Sequence, residues 1–252
     1  MKGIINVLSR IRMFQYRGST FIYLLMILFA RVYKLLFIGA DHVTLPTIWG
    51  TRLIIPKGSS FAENRYVTLM LGLVEPQWKS YFELVIVKAR VLIDIGAASD
   101  AYYTLRACKM NKEIRAVAIE PLRNEYKFLL YNLSANSCLG KAIPINAAAC
   151  ESEGQIEING ESVACVSLDK LVSSLKLKSV DVIKIDVEGA GLGVIKGGLN
   201  SIRNFKPVIF FEVHNDDERL AISQLKEIGY DTIESGGDMF ILIPHNLVRV
   251  KQ

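Results

Sequence analysis

The chain contains 252 residues, of which 51% are hydrophobic, and its formal net charge is +5. This composition predicts a folded protein with a large core and excludes an intrinsically disordered chain. The excess positive charge lies in residues 1–40, which hold six basic residues and no acidic one, so the rest of the chain is nearly neutral. Because a nearly neutral body lacks the basic surface of a nucleic-acid-binding protein, we expect no nucleic-acid partner.

Residues 1–40 predict a basic and apolar arm. Apolar side chains dominate from Phe21 to Ala40, although Arg31 and Lys34 interrupt them. The uncharged run 18–30 is shorter than the roughly 20 residues that a membrane-spanning helix needs. Two interpretations remain open: an amphipathic helix on the cytoplasmic leaflet of a membrane, or a helix packed on the domain or on a second copy. We expect a cytoplasmic protein, peripheral at the inner membrane face under the first interpretation.

Short strands and helices alternate along the rest of the chain. A small hairpin in residues 41–60 completes an N-terminal segment 1–60, and residues 61–252 form the main domain. The predicted helices are Tyr66–Val74, Pro76–Val87, Ala101–Ala107 with Ser99 as N-cap, Arg123–Asn136, a short helix from Ser167, Leu192–Arg203, and Asp216–Gly229. The predicted strands are Val91–Ile95, Ile114–Ile119, Ala142–Asn146, Gln155–Ile158, Ser162–Val166, Val180–Asp186, Pro207–His214, Tyr230–Glu234 and Met239–Ile243. The alternation predicts an α/β fold with a doubly wound, mostly parallel sheet and a closing hairpin.

Pro144 and the cysteines add two further expectations. A proline cannot donate to a central sheet ladder, so the strand around Pro144 is expected at a sheet edge. The four cysteines, at positions 108, 138, 150 and 165, have no metal-ligand spacing, and we expect reduced, partly buried thiols.

Acidic residues follow the ends of four predicted strands. They are Asp94, Glu120, Asp186 with Glu188, and Glu212, which His214 follows. In an open parallel sheet, ligands bind beyond the carboxyl ends of the strands. Small residues at Gly96 and Ala97 allow a tight turn beside a ligand. The sequence therefore predicts a ligand site at one rim of the sheet.

These segments resemble the FkbM-type S-adenosylmethionine-dependent methyltransferases over roughly residues 66–230. The resemblance rests on Asp94-Ile-Gly96-Ala97, Ala118-Ile-Glu120-Pro121, Ser167-Leu168-Asp169, Lys184-Ile-Asp186-Val-Glu188-Gly189-Ala190 and Pro207 through Glu212-Val-His214, with Glu75-Pro76 before the first strand. It implies the class I methyltransferase (Rossmann-like) fold of about seven strands with an antiparallel closing strand. It also implies S-adenosylmethionine as cofactor and O-methylation of a hydroxyl, on a sugar, glycan or secondary metabolite.

The resemblance also assigns roles at the rim. Asp94, Gly96 and Ala97 would line the methionine portion of the cofactor, and Glu120, followed by Pro121, would hold the ribose hydroxyls. The acceptor would face the later group of Asp186, Glu188, Glu212 and His214.

The chemistry of the rim leaves alternatives. His214 is the candidate general base, with Asp186 or Glu188 as the alternative, and the acids at 186, 188 and 212 could instead hold a divalent cation. No metal site is assigned. Ala98-Ser99-Asp100-Ala101 stands where the family usually has another glycine, and Gly191 stands where it commonly has glutamate. These departures leave a catalytically degenerate binding module as the alternative function, and the oligomeric state is left open.

Overall fold

The computed structural model describes residues 42–56, 74–234 and 238–248, together with 28, 69 and 72. Nearly all of the arm predicted in residues 1–40, and most of the helix predicted at 66–74, lie outside the described residues. Within the described part of the chain, no helix has the length and apolar character that crossing a membrane requires.

Strands and helices alternate much as the sequence predicts. The strands are β1 (His42–Pro46), β2 (Arg52–Pro56), β3 (Val91–Ile95), β4 (Arg115–Ile119), β5 (Ala142–Ile145), β6 (Ala148–Cys150), β7 (Gly154–Ile158), β8 (Glu161–Ser167), β9 (Val182–Ile185), β10 (Val208–Glu212), β11 (Tyr230–Glu234) and β12 (Met239–Pro244). The helices are α1 (Pro76–Ile86), α2 (Tyr102–Met110), α3 (Arg123–Ala135), α4 (Leu168–Ser174), α5 (Gly191–Lys196), α6 (Leu199–Phe205), α7 (Asp216–Glu227) and α8 (His245–Val248).

Seven strands form the central sheet in the order β11-β12-β10-β9-β3-β4-β5. The five strands from β10 to β5 pair in parallel, whereas β12 runs antiparallel to both β10 and β11. The predicted α/β fold with an antiparallel closing strand is confirmed. β5, which contains Pro144, lies at the edge of the sheet, as that proline predicts.

Alternate residues of the parallel strands enter two different cores. Leu92, Val182 and Phe210 pack with α1, α2 and α3 on one face. Ile93 and Ile183, one residue further along, pack with α4 to α7 on the other. Because successive side chains of a strand point to opposite faces, strands that are covered on both sides are apolar throughout.

The β1–β2 hairpin packs on the main domain. Leu45, Leu53 and Ile55 are buried in the core that α1, α2 and α3 cover. Asn132 of α3 accepts a hydrogen bond from the Ile54 backbone N–H at 2.7 Å and donates one to the Ile54 carbonyl at 2.8 Å. The asparagine therefore satisfies backbone groups that an edge strand would otherwise leave unpaired.

Two predicted helix boundaries are wrong. The helix predicted from Leu192 to Arg203 is divided into α5 and α6 at Gly197–Gly198. A Cβ on Gly197 would lie 2.2 Å from the Cys150 carbonyl oxygen, so the chain here needs glycine to approach β6. Ser99 does not cap α2, because the helix begins at Tyr102 and the carboxylate of Asp100 accepts the Tyr102 N–H.

The expectation of reduced thiols is wrong for two of the four cysteines. Cys150 of β6 and Cys165 of β8 form a disulfide, whereas Cys108 and Cys138 are free and buried. β6, β7 and β8 form a separate small sheet in which Ala148 is the register partner of Cys165. Strand pairing, which spacing does not reveal, therefore brings the two sulfur atoms together.

Replacing both bridged cysteines with serine should lower the free energy of unfolding by about 3 kcal/mol, since the bridge closes a loop of about 15 residues. Urea unfolding of wild type and of Cys150→Ser/Cys165→Ser measures the loss. Cys138→Ser is the control for removing a cysteine that is not bridged. Labelling in denaturant should find two reactive thiols without reductant and four with it. Four reactive thiols without reductant would contradict the bridge.

Candidate active site

The turn after β3 lies close to β4 and to the segment after β9. The N–H groups of Gly96 and Ala97 both donate to the Ile119 carbonyl, each at 3.0 Å. Gly96 has φ 76, and a Cβ there would lie only 1.8 Å from the Asp186 carbonyl oxygen. Any other residue at position 96 would separate the two strand ends, so glycine is required for the rim to form.

Asp94 lies almost fully buried, at 1% exposure, within β3. Its Oδ2 accepts the Thr104 hydroxyl at 2.7 Å and the Thr104 N–H at 3.1 Å. Its Oδ1 is also buried and has no hydrogen-bond partner in the described residues. Burial raises the pKa of Asp94, although Lys184 partly opposes the change. The unpartnered oxygen can accept a donor from a ligand.

Glu120 directly follows β4 and contacts the turn after β3. Its two carboxylate oxygens accept the N–H groups of Ala98 and Leu122, each at 3.0 Å. Burial raises the pKa of Glu120 to about 7. An ionised carboxylate has about four acceptor positions, so two remain for a ligand. Pro121, the next residue, is held through its carbonyl, which accepts from Asn146 at 2.9 Å.

The turn between Ala97 and α2 adopts left-handed backbone at two alanines. Ala98 has φ 54 and Ala101, the N-cap of α2, has φ 50. Left-handed backbone favours glycine, so Ala101 occupies a position at which glycine would be unstrained. The missing family glycine therefore changes the strain of this turn without removing the turn itself.

Lys184 carries the central positive charge of the rim and is 3% exposed. It lies opposite Asp94 in the β3–β9 register. Its ammonium donates to the Gly96 carbonyl and to Asp186 Oδ2, each at 3.1 Å, and lies 5.5 Å from the centre of the Tyr103 ring. Burial by itself would lower the pKa of Lys184, but Asp186, Asp94 and Glu75 together raise it. Lys184 therefore joins the glycine turn to the acids after β9.

Asp186 lies between Lys184 and His214. Its Oδ1 is 3.2 Å from His214 Nε2. Burial would raise the pKa of Asp186, but Lys184 and then His214 lower it below its ordinary value. The carboxylate is therefore ionised at neutral pH and can orient the imidazole, whereas it is too weak a base to deprotonate a hydroxyl.

Glu212 ends β10 beside this pair. Burial, followed by repulsion from Asp186 and Glu75, raises the pKa of Glu212 to about 7. One ligand atom each from Asp186, Glu212 and His214 lie within 4.8 Å of one another. These three, rather than the acids at 186, 188 and 212, are the group that could hold a metal ion, although the Lys184 ammonium already contacts one of them.

Glu188 is a predicted site residue that is not among the three whose possible ligand atoms lie together. It is exposed, and it has φ 45 in the turn that follows Asp186. Gly189 continues the turn with φ 95. Asp94, Gly96, Ala97, Glu120, Asp186, Glu212 and His214 all lie at the predicted rim.

Sequence reasoning missed three contributors to the rim. Lys184 was part of the motif but had no assigned role, and Glu75, which accepts the Tyr103 hydroxyl, was only a marker of the resemblance. Glu218 of α7 lies outside the motifs of the sequence. A lysine inside an otherwise apolar strand is a signal that could have been used, because a buried ammonium needs carboxylates nearby.

The sheet order and the antiparallel closing strand together define the class I methyltransferase fold, and the acidic rim lies where such a sheet binds its ligand. Residues 94–239 match the methyltransferase FkbM domain, and the chain belongs to that family. The family is one of methyltransferases, and the resemblance to it implies S-adenosylmethionine as the methyl donor.

The chain is similar to a curated protein and to a solved structure. It is 27% identical over 140 residues to the hexuronic acid methyltransferase AglP of Haloferax volcanii, a match that covers 49% of this chain and 56% of that protein. The chain thus spans about half the length of this curated relative. The crystal structure of the methyltransferase FkbM from Methylobacillus flagellatus KT has a TM-score of 0.50 and 15% identity, and the match covers 74% of this chain and 55% of that one. At that identity the likeness concerns the fold alone.

Proposed function

We propose that this chain is an S-adenosylmethionine-dependent O-methyltransferase that acts on a hydroxyl of a sugar or glycan. The observation that carries the proposal is the hydrogen-bonded chain from Gly96 through Lys184 and Asp186 to His214, because it joins the cofactor side of the rim to a candidate base. The relative that methylates hexuronic acid supports a sugar as the class of acceptor.

The residues on the cofactor side fit S-adenosylmethionine. Asp94 Oδ1 is a buried acceptor without a partner in the described chain and suits the ammonium of the methionine portion. Glu120 ends the second strand of a βαβ unit, where a carboxylate hydrogen-bonds ribose hydroxyls. When bound, this cofactor supplies a methyl group already activated by a positively charged sulfur. The protein then has to orient an oxygen behind that methyl group and accept its proton.

The charges on the acceptor side favour a hydroxyl over a carboxylate. A carboxylate acceptor is already nucleophilic and needs no base, and the ionised Asp186 would repel it. A hydroxyl is neutral, and it gains from a base that removes its proton in the transition state. His214, held by Asp186, is placed to do this.

Incubation with radiolabelled S-adenosylmethionine tests the acceptor class. The panel contains neutral pyranosides, hexuronides and their reduced glycans. Transfer that survives mild alkali indicates a methyl ether on a hydroxyl, whereas an alkali-labile product indicates a methyl ester on a carboxyl group. We expect alkali-stable label on a sugar. Label on none of the sugars, or only in the ester form, would contradict the proposal as stated.

Glu120→Gln should weaken S-adenosylmethionine binding about 10–100-fold, because a hydrogen bond to a charged group contributes about 1.5–3 kcal/mol. The pKa of about 7 makes this affinity pH-dependent: between pH 6 and pH 8 the wild-type carboxyl becomes ionised and should bind the ribose more tightly. The variant should lose this dependence. Calorimetry at several pH values measures both effects, and Glu113→Gln, an exposed change, is the control. Equal affinity in wild type and Glu120→Gln would remove the ribose role.

The raised pKa of Glu120 affects folding stability in the direction opposite to its effect on cofactor affinity. An acid whose pKa rises on folding favours the protonated folded state, so its contribution to folding stability falls as pH rises from its ordinary value of 4.5 to about 7. Between pH 6 and pH 7, cofactor affinity should therefore rise while the contribution of Glu120 to folding stability falls. The cytoplasmic location stays a prediction, and so do both alternatives for residues 1–40, contact with a membrane surface and packing on protein.

A further inference from the structure

Glu218 is a fully buried acid in the first turn of α7, with 0% exposure. Its Oε1 accepts the Gly191 N–H at 2.7 Å, and its Oε2 accepts the His214 N–H at 2.5 Å. Gly191 begins the helix after β9, and His214 lies in the loop after β10. One side chain therefore binds the backbones of both segments that border the acceptor side of the rim.

Asn215 adds a second link between the same two segments. Its Oδ1 accepts the Glu218 N–H at 2.9 Å, which makes Asn215 the N-cap of α7, and its Nδ2 donates to the Gly189 carbonyl at 3.3 Å. In a capping box the glutamate at this position would bond to the N–H of the N-cap residue itself. Glu218 instead reaches the residue before the cap and a separate turn, so the arrangement fixes more than the end of α7.

The space around Gly191 is adapted to this carboxylate. A Cβ at position 191 would lie 2.4 Å from the ring of Phe211 and 2.8 Å from Glu218 Oε1. Both neighbours are buried and cannot move into solvent. The glycine thus allows the close contact between its own N–H and Glu218, which would not form with any larger residue.

We propose that Glu218 is a positioning residue that fixes the His214 imidazole against Asp186. The His214 backbone is held from one side by Glu218, and its ring is held from the other by Asp186 at 3.2 Å. Releasing the backbone lets the ring leave Asp186. The catalytic importance of this contact rests on the proposed function, whereas the contact itself can be tested without cofactor or acceptor.

The first test measures how much the NMR signals of the His214 ring depend on the Asp186 carboxylate. The chain has three histidines, so the ring C–H signals of His214 can be assigned in an NMR spectrum by their loss in His214→Gln. In the wild type, Asp186→Asn should shift these signals. In the Glu218→Gln background the same change should shift them much less, because an amide offers one acceptor oxygen and cannot accept both N–H groups.

Matched variants distinguish this effect from a general loss of folded structure. Glu227→Gln changes an exposed acid on the same helix and should leave the shift caused by Asp186→Asn at its wild-type size. Asn215→Ser keeps a capping oxygen and removes the link to Gly189, so it should reduce that shift less than Glu218→Gln does. If Glu218→Gln does not fold, Glu218→Asp serves instead, since its shorter side chain cannot reach both amides. An Asp186→Asn shift of undiminished size in the Glu218 variant would overturn the proposal.

The second test uses turnover with an acceptor from the sugar panel. Glu218→Gln should lower kcat on the order of 10²-fold, the loss that a displacement of about 1 Å can cause, with the KM for S-adenosylmethionine unchanged. The double variant should be no slower than His214→Gln alone, because both changes remove one function. If the losses in kcat of the two single variants multiply in the double variant, Glu218 has a structural role only. If no acceptor is methylated, the proposed function fails and the NMR test still decides the positioning role.

Discussion

Replacing Lys184 with methionine should lower the free energy of unfolding by about 3–5 kcal/mol at pH 8, the loss typical of breaking a buried ion pair by removing one partner. Methionine retains most of the side-chain volume, so the loss comes chiefly from the missing charge. The ammonium contacts Asp186 at 3.1 Å, and Asp94 and Glu75 also raise its pKa. Without it, buried carboxylates would face one another uncompensated.

The destabilisation should depend on pH in a defined direction. In the wild type the pKa of Asp186 is lowered, chiefly by Lys184 against the effect of burial, so its contribution to stability is present above the ordinary value of 3.8 and is lost as pH falls below it. In Lys184→Met the carboxylates lose their cation and take up protons at higher pH. The deficit of the variant should therefore be largest at pH 8 and smaller at pH 5.

Urea unfolding at the two pH values measures the deficit directly. Lys196→Met is the matched control, because Lys196 lies 3.6 Å from Glu151 in an exposed pair, which contributes about 0–1 kcal/mol. A deficit in Lys184→Met as small as that of Lys196→Met would show that Lys184 is not the charge that holds the rim together. A deficit that grows toward pH 5 would contradict the assignment of its partners.

The alternation of side chains between the two faces of each strand explains how much of this site the sequence could predict. Asp94, Lys184 and Glu212 share a sheet face because each lies an even number of residues from an apolar residue on that face. Once strands are assigned, the acids at their ends must meet at one rim, which is why Asp94, Glu120 and Asp186 were predicted together. This alternation does not determine which strands are neighbours in the sheet, so the pairing of Lys184 with Asp94 was not predicted.

Features that depend on long-range packing were missed for the same reason. The Cys150–Cys165 bridge needs the parallel pairing of β6 and β8, and the division at Gly197–Gly198 needs the approach of β6. From the local sequence, Glu218 is only an acid in the first turn of a helix, where its negative charge complements the helix dipole. Only the fold reveals that it binds backbone from two other segments.

Glu218 also bears on the departure at position 191. The family commonly has a carboxylate there, and its replacement by glycine raised the alternative of a degenerate binding module. In the structure, a buried carboxylate from α7 lies where a side chain at 191 would begin. Both oxygens of this carboxylate bond to backbone N–H groups, so Glu218 occupies the space beside position 191 without presenting an acid to the acceptor.

His214→Gln should lower kcat about 10²–10⁴-fold, the contribution of a positioned general base. Activity should not disappear, because orientation of the two reactants, worth about 7–11 kcal/mol, does not depend on the imidazole. Cofactor affinity should stay close to that of the wild type, since His214 lies on the acceptor side of Asp186. Initial rates with an acceptor identified in the sugar panel, and calorimetry with S-adenosylmethionine, measure the two quantities.

Glu212→Gln is the decisive comparison, because the pKa of Glu212 is raised to about 7 and this acid could also accept a proton near neutral pH. We expect the smaller loss in this variant, since Asp186 already orients the imidazole, whereas a carboxylate oxygen of Glu212 only lies within 4.8 Å of the pair. Asp186→Asn should fall between the two, because it removes the orienting partner and leaves the base. A larger loss in Glu212→Gln than in His214→Gln would transfer the role of base to Glu212 and leave His214 as its neighbour.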